Sequence, residues 1–329
     1  MKITTLTLAL ASLLATAPLA TGALAQDRVG TSPWGAADQL GRLNMMTEQT
    51  RAAVLSRIAG GKTYDLSVEY FIGMPGWEAA GDPRYQMWMT HTPRGNVVTD
   101  SMSVGKSVNA HVSYTGSAFS MYSHTGTHID ALNHFGIDGR IYNNFTADEH
   151  LGDRGWKVTG AETIPPIVAR GVLIDIAKSK GVAALASGYR ITKADIEAAL
   201  RTQKVMLQRG DVVMLRTGRM KIYNDAKAYT DNPPGLGMDA ARFLVETKEI
   251  MVIGADNLSL EAFPSEIKGN YIPVHTYLLA QHGVTIMELV NLEELAKDGV
   301  YEFAFIGAPL KLRGADAAPM RPIALPLRR

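Results

Sequence analysis

Apolar and polar positions in the second half of the chain predict buried strands separated by helices. Three short apolar runs are typical of buried strands: RGVLIDIA (170–177), DVVMLRTG (211–218) and IMVIGAD (250–256). The segments between them, TKADIEAALRTQ (192–203) and DAARFLVETK (239–248), predict helices, the first with Thr192 as its N-cap. This alternation indicates the α/β class.

The C-terminal third continues the alternation. PVHTYLLAQHG (273–283) predicts a helix, and VTIMELV (284–290) predicts a strand or a turn into NLEELAKDG. YEFAFIGAPLKL (301–312) predicts the final strand. No stretch after residue 100 has the composition of a linker, so we predict a single domain over residues 26–329 with an N-terminal arm of about residues 26–60.

The N-terminal part of that domain predicts one helix, one strand and a flap. Thr47 is placed to cap a helix that runs to about Ile58, and KTYDLSVEYF (62–71) reads as a strand. Residues 72–100, rich in Gly, Pro, Trp and Met, predict a long loop of the kind that often carries function. Trp77 and Trp88 are predicted to contact a substrate there; the alternative is that they pack as the core of the loop itself.

Composition and charge narrow the range of partners. The 329 residues are 46% apolar with a formal net charge of +1, which suits a globular protein. Because no Lys/Arg block is present, we expect a small-molecule substrate and neither nucleic acid nor a membrane surface as partner. The chain contains no cysteine, so any metal site must use His, Asp, Glu or Gln.

The first 25 residues have the features of a secretory signal peptide. Lys2 precedes an apolar stretch from about Leu6 to Leu14, and the segment ends in Ala23-Leu24-Ala25. The apolar stretch is too short for a stable membrane span. We therefore predict cleavage after Ala25 and a periplasmic or secreted location; the alternative is a disordered or anchoring tail.

Residues 120–136, SMYSHTGTHIDALNHFG, concentrate the candidate chemistry. His124, His128, Asp130 and His134 occupy even positions, so an extended chain would direct all four side chains to one face. Two histidines and an aspartate suit a catalytic zinc or manganese site with a position left for water, and Gly126 would let water or substrate approach the backbone. The alternative is a set of hydrogen-bonded structural side chains.

This run, HTGTHIDALNHF (124–135), closely resembles the signature of the cyclase-like metal-dependent hydrolases, a family that includes bacterial kynurenine formamidase and isatin hydrolase. The sequence departs from the family at Ala131-Leu132-Asn133, where many members have a proline, and Asn133 is expected to affect substrate choice. Further segments have counterparts in the family: WGAADQLGRLNMMT (34–47), YDLS (64–67), GDVVMLRTG (210–218), PPGLG (233–237), IGADNLSLE (253–261) and HTYLLAQHGVTIMELVNLEEL (275–295).

The resemblance implies a site for one or two zinc or manganese ions. His124, His128 and Asp130 correspond to the ligands of the first ion. Asp130 bridges to a second ion in some members, and His275 and Glu288 match its remaining ligands, with Gln281 and His282 as neighbouring alternatives.

The resemblance also implies the role of His134, the fold and the activity. His134 corresponds to the catalytic histidine, which takes and returns a proton; the alternative is a fourth metal ligand. The implied fold is a swivelling β/β/α domain with an N-terminal extension, assembled as a homo-oligomer (dimer or tetramer).

The expected activity is metal-dependent hydrolysis of an amide-type C–N bond in a cyclic amide or formamide, as in isatin or N-formylkynurenine. Two alternatives remain open at this point. One is a metal-dependent lactonase or esterase, and the other is a periplasmic binding protein without turnover.

Overall fold

The structure is a computed structural model and describes residues 28–95, 103–105, 107–108 and 110–328. The predicted signal peptide, residues 1–25, and residues 96–100 of the predicted flap lie outside the described residues. Within the described part of the chain, every helix is too short or too polar to cross a membrane.

Most strands are short, and a few long ones form the centre of the fold. The strands are β1 (Tyr64–Asp65), β2 (Gln86–His91), β3 (Gly116–Ser120), β4 (His128–Asp130), β5 (Gly136–Ile137), β6 (Arg140–Ile141), β7 (Leu151–Gly152), β8 (Gly155–Trp156), β9 (Ile167–Asp175), β10 (Arg190–Ile191), β11 (Val212–Arg216), β12 (Gly235–Leu236), β13 (Val252–Ala255), β14 (Thr285–Glu288), β15 (Glu302–Gly307), β16 (Ala317–Pro319) and β17 (Ile323–Pro326).

Helices connect these strands. The α-helices are α1 (Glu48–Leu55), α2 (Ala147–His150), α3 (Ile176–Ser179), α4 (Lys193–Gln203), α5 (Ala226–Thr230), α6 (Met238–Arg242), α7 (Pro273–His275) and α8 (Glu293–Asp298). Two of them, α6 and α7, continue as the π-helical segments Phe243–Thr247 and Thr276–Gln281. Short 3₁₀ helices span Gly41–Met45, Glu78–Ala80, Tyr142–Asn144, Ala161–Thr163 and Arg219–Ile222.

Nine strands form one mixed sheet in the order β1-β17-β15-β9-β11-β13-β14-β4-β16. The central strands β9, β11, β13 and β14 are parallel, as expected for strands joined by helical crossovers. The outer strands β15, β17 and β1 on one side, and β4 and β16 on the other, are antiparallel to their neighbours. The predicted α/β class is confirmed.

Both faces of the central sheet are buried, and this explains the continuous apolar runs. Along β11, Val213 and Leu215 join the apolar cluster that contains the residues of α4 and α6, whereas Val212 and Met214 join the cluster on the other face. Leu43 of the N-terminal arm belongs to that second cluster. Because neither face is solvated, the strands need no polar alternation.

The predicted helix caps are confirmed. The hydroxyl groups of Thr47 and Thr192 accept hydrogen bonds from backbone N–H groups three residues on, at Thr50 and Asp195, and both sites form capping boxes. Each cap satisfies amides that would otherwise lack a partner at the first turn of its helix.

Three predicted elements differ from the structure. The strand predicted over 301–312 ends at Gly307 and is not the last, since β16 and β17 follow it. The strand predicted over 62–71 is regular only at β1, after which Leu66 and Val68 bond to scattered partners at Pro322 and Thr127. The predicted flap includes a regular strand, β2, which pairs with β3. These segments pair with distant parts of the chain, which local periodicity does not reveal.

Candidate active site and metal centre

Strand β4 places His128 and Asp130 in the interior of the protein. It lies between β14 and β16, and its register sets His128 directly opposite Glu288. The side chains of His128 and Asp130, two residues apart on the strand, point to the same face, with His128 Nε2 3.4 Å from Asp130 Oδ1 and 3.7 Å from Glu288 Oε2. The prediction that side chains at even positions share one face is therefore correct for this pair.

His124 reaches the same point by a bend and not by an extended chain. Residues 125–127 form the bend, and Gly126 adopts a left-handed conformation with φ of 64°. A Cβ atom at Gly126 would overlap the ring of Tyr70, whose hydroxyl donates a hydrogen bond to the Thr125 carbonyl (2.8 Å). The predicted role of Gly126 as an opening for water or substrate is wrong, because Tyr70 fills that space; glycine is needed there for the turn and the close packing.

His275, at the end of α7, completes the group from the other side. Its Nε2 lies 3.3 Å from Glu288 Oε1 and 3.9 Å from Asp130 Oδ2. Its Nδ1 lies 2.7 Å from Oε1 of Glu261, a buried carboxylate that also accepts hydrogen bonds from the backbone N–H groups of His275 (2.9 Å) and Val274 (3.1 Å). This contact places a ring proton on Nδ1, where it faces Glu261. Nε2 is then the nitrogen that can bind a metal.

The donor atoms of this site fit a divalent metal. Three groups of three residues have their ligand atoms within 4.8 Å of one another: His124, His128 and Asp130; Asp130, His275 and Glu288; and His124, His134 and Asp316. The third group corresponds to the predicted alternative in which His134 is a ligand. The polar contacts of Asp130 Oδ1 are to imidazole nitrogens of the site, His124 Nδ1 at 2.9 Å and His128 Nε2 at 3.4 Å, and the buried Asp130 Oδ2 forms no hydrogen bond with a described residue. His128 Nδ1 contacts the Gly126 carbonyl at 2.7 Å, which turns Nε2 towards the cluster.

The distances between the donor atoms support the same conclusion. Ligand bonds of about 2.0–2.2 Å put the corners of a tetrahedron about 3.4 Å apart. The separation of His128 Nε2 from Asp130 Oδ1 is 3.4 Å and that of His275 Nε2 from Glu288 Oε1 is 3.3 Å. Nitrogen and oxygen ligands without thiolates suit zinc or manganese alike.

The buried carboxylates of the site favour positive charge on the histidines beside them. Burial alone would lower the pKa of His124, but the carboxylates of Asp130 and Asp316 raise it to about 10. Burial is likewise outweighed at His275, where Glu261 and Glu288 raise the pKa to about 10. Without a metal, imidazolium ions supply the positive charge that buried carboxylates require.

His134 lies beside the cluster but in a different environment. Its ring centroid is 4.1 Å from that of His124, and its Nδ1 lies 3.5 Å from Asp316 Oδ2. Burial and the positive charge of His124 lower the pKa of His134 to about 4, so its imidazole is neutral near pH 7. A neutral imidazole held between a carboxylate and the cavity can accept and return a proton.

A cavity of about 400 Å³ opens onto these groups. His124, His134, His275 and Glu288 form its base. The residues that line its sides and mouth are Trp77, Ala80, Asp82, Tyr122, Phe135, Phe263, Tyr271 and Ile272.

Of the three predicted substrate contacts, only Trp77 lines this cavity. Trp88 is half-exposed on β2, and Asn133 is buried, with its amide group 3.4 Å from the Ala315 carbonyl. Of the two alternative ligands, His282 belongs to none of the described groups of His, Asp and Glu donors, and its ring packs against Tyr277 at 4.3 Å between centroids. Gln281 is the last residue of the π-helical segment that follows α7.

Sequence reasoning missed two carboxylates, Asp316 and Glu261. Asp316 precedes β16, whose pairing with β4 brings it to His124 Nε2 (3.4 Å) and to His134; Ser123 holds its other oxygen at 2.8 Å. Glu261 lies within the IGADNLSLE segment that resembles the family, and this was the one signal available. Asp316 has no local signal, because only the pairing of strands distant in sequence brings it to the site.

Comparison with known proteins supports the predicted family. A family model described as "Putative cyclase" matches residues 64–262. A crystal structure described as a novel cyclase superposes with a TM-score of 0.79 at 32% identity, covering 89% of this chain and 96% of that chain. The predicted cyclase-like fold is thereby confirmed.

Two further relatives have named activities. Kynurenine formamidase of Bacillus thuringiensis (strain Al Hakam) is 29% identical over 240 residues, which are 73% of this chain and 91% of that protein. Isatin hydrolase A of Ralstonia solanacearum is similar in fold, with a TM-score of 0.59 at 21% identity over 80% of this chain and 91% of that chain. Both names describe hydrolases that act on small molecules.

Proposed function

The chain belongs to the cyclase family, and from this we propose that it is a metal-dependent hydrolase that cleaves an amide-type C–N bond in a small aromatic substrate, a cyclic amide or a formamide. One observation carries the proposal. Buried imidazole and carboxylate donor atoms converge on Asp130, and three of the residues that supply them, His124, His275 and Glu288, also line the base of an aromatic-lined cavity. The named activities of the relatives, kynurenine formamidase and isatin hydrolase, agree with this substrate class.

The residues divide into ligands and a proton carrier. His124, His128 and Asp130 would hold one zinc or manganese ion, and His275 and Glu288, with Asp130, would hold a second. When bound, such an ion supplies Lewis acidity, which lowers the pKa of water and polarises a carbonyl group.

His134 carries the proton in this proposal. Asp316 faces Nδ1 of His134 and orients the ring, so that Nε2 is the nitrogen left for proton transfer. His134 takes a proton from the attacking water and returns it to the departing nitrogen. The aromatic walls exclude bulk water from the reacting groups.

A substrate panel tests the proposal directly. Protein loaded with zinc or manganese is assayed with isatin, N-formylkynurenine and a matched pair of lactam and lactone. We expect hydrolysis of at least one amide and a lower rate with the lactone.

A variant tests the metal site. His128→Ala should lose both metal and activity, because it removes a buried ligand. Faster lactone hydrolysis would change the class to an esterase, and full metal content with a normal rate in His128→Ala would refute the assigned site.

We further propose that the protein is exported and forms homo-oligomers. Export is supported by the features of residues 1–25 and tested by N-terminal sequencing of the mature protein, which should begin at Gln26.

Self-association is supported by four apolar side chains of strands β2 and β3 that are 47–60% exposed: Met87, Trp88, Met89 and Phe119. Light scattering should report a dimer or tetramer; a monomer at micromolar concentration would contradict this part.

A further inference from the structure

The sides of the active-site cavity are aromatic. Trp77 and Phe263 meet edge to face with 6.4 Å between their centroids, and the Tyr122 ring lies 4.8 Å from that of His124. Phe135 packs against His275 (5.2 Å), and Tyr271 stands at the mouth, 72% exposed. The faces of such rings attract cations as well as apolar groups.

One charged side chain interrupts this aromatic wall. Asp82 lines the cavity, is half-buried, and forms no hydrogen bond or ion pair with any residue that the structure describes. Among the described residues of the cavity wall, none is Lys or Arg. Arg84, two residues further along the chain, is paired with Glu78 at 2.7 Å. The carboxylate of Asp82 is therefore available to a ligand.

The other carboxylates of the site add to the negative charge of Asp82. Besides Asp82, the carboxylates at or behind the cavity base are Asp130, Glu261, Glu288 and Asp316. With Asp82 these make five carboxylates, and the described lining residues include no Lys or Arg to balance them. An anionic substrate group away from the metal centre would therefore meet repulsion, whereas a cationic group would be attracted.

We propose that the cavity selects substrates that carry an ammonium group on the aromatic or acyl part distant from the scissile amide, with Asp82 and the surrounding rings as its binding site. The inference rests on the proposed amide hydrolysis. A carboxylate beside aromatic faces is a combination that suits protonated and quaternary amines, since the rings replace water around the cation and the carboxylate balances its charge.

Three formanilides whose para substituents are separated from the ring by a methylene group, so that ring electronics stay similar, separate charge from shape: trimethylammoniomethyl, neopentyl and carboxymethyl. We expect kcat/KM to be about tenfold higher for the trimethylammoniomethyl compound than for its neutral neopentyl isostere, given typical cation–π strengths. The carboxymethyl compound should be the poorest substrate. In Asp82→Asn the ratio between the first two should fall towards one, and in Asp82→Lys the order of cation and anion should reverse.

A matched control removes a carboxylate elsewhere. Asp153→Asn removes one negative charge from the exposed turn between β7 and β8 and should leave the preference unchanged. A wild-type protein with equal kcat/KM for all three compounds, or an Asp82→Asn variant that keeps the full preference, would overturn the inference.

Binding measurements separate this inference from the proposed reaction. Calorimetry with phenyltrimethylammonium and benzenesulfonate, a weak metal ligand, requires no turnover and can be done on metal-loaded protein. We expect the cation to bind at least tenfold more tightly than the anion, and Asp82→Asn to remove most of that difference. If neither a formanilide nor any amide of the substrate panel is hydrolysed but the cation binds through Asp82, the reaction is wrong and the binding site stands. If benzenesulfonate binds as tightly as the cation, the binding site is wrong whatever the activity.

Discussion

Replacing Glu261 by glutamine tests how the chain prepares His275 for metal. Oε1 of Glu261 lies 2.7 Å from His275 Nδ1 and 2.9 Å from the His275 backbone nitrogen, and Oε2 accepts from the N–H of Val274 at 3.1 Å. In Glu261→Gln the amide oxygen can keep both contacts to His275. The amide nitrogen then faces the N–H of Val274, and the negative charge behind the imidazole is lost.

These two losses have separate magnitudes. A partner that orients a ligand histidine typically contributes about 10–100-fold to metal affinity. Because the glutamine oxygen still accepts from Nδ1 of His275, we expect the lower end, about tenfold, which is about 1.4 kcal/mol. The buried N–H of Val274 left opposite an amide donor should cost about 1–3 kcal/mol of folding stability.

The assay measures zinc affinity by chelator competition well below the melting temperature, and stability by urea unfolding in EDTA. Glu266→Gln is the matched control, because Glu266 also accepts from a backbone N–H, that of Met238 at 2.6 Å, but does not contact the metal-ligand cluster. Because its amide oxygen can keep the contact to Met238, this variant should lose little stability and no zinc affinity. Glu261→Gln with reduced stability but unchanged affinity for every bound ion would show that Glu261 only braces α7, and the reasoning would be refuted.

Three further predictions concern the proton carrier, pH and the bend. His134→Ala should keep its metal and lose about 10²–10⁴-fold in kcat, as expected for a general base; loss of metal would reassign His134 as a ligand. Burial lowers the pKa of His124 and His275, but nearby carboxylates raise both from 6.5 to about 10. Their protonated forms therefore stabilise the metal-free fold fully below about pH 6.5, and this contribution is lost as the pH rises towards 10. The Tm in EDTA should fall over that range and the Tm with excess zinc should not follow it; parallel curves would contradict this. Gly126→Ala should lower the free energy of unfolding by about 2 kcal/mol through strain and overlap, while Gly61→Ala, which meets no atom within 4 Å, should change it little in the same urea titration.

The local rules of the sequence predicted much of the framework. Apolar runs such as 170–177 are long and bounded by turn residues, so they identify buried strands without knowledge of their neighbours. The caps at Thr47 and Thr192 are contacts within four residues, and periodicity together with propensity suffices to find them. The family followed from the same kind of local information, because its signature lies within twelve consecutive residues.

The prediction that the even-numbered side chains of residues 124–134 share one face holds only where the chain is a strand. It correctly put His128 and Asp130 on one face of β4. It misjudged His124, which arrives through a left-handed glycine, since a single positive φ changes the direction of the chain and cancels the two-residue period. Tyr70, which makes that glycine necessary, is more than fifty residues away in sequence.

The sequence by itself determined most element types, the run that carries the candidate ligands and the family, because each depends on residues close together in the chain. Only the tertiary structure showed which further carboxylates adjoin the site and which residues line its cavity. Asp316 meets His134 because β16 pairs with β4, and Asp82 joins an aromatic wall built from segments between residues 77 and 272. Such contacts follow from strand order and register, which depend on packing across the whole sheet, so no local pattern encodes them.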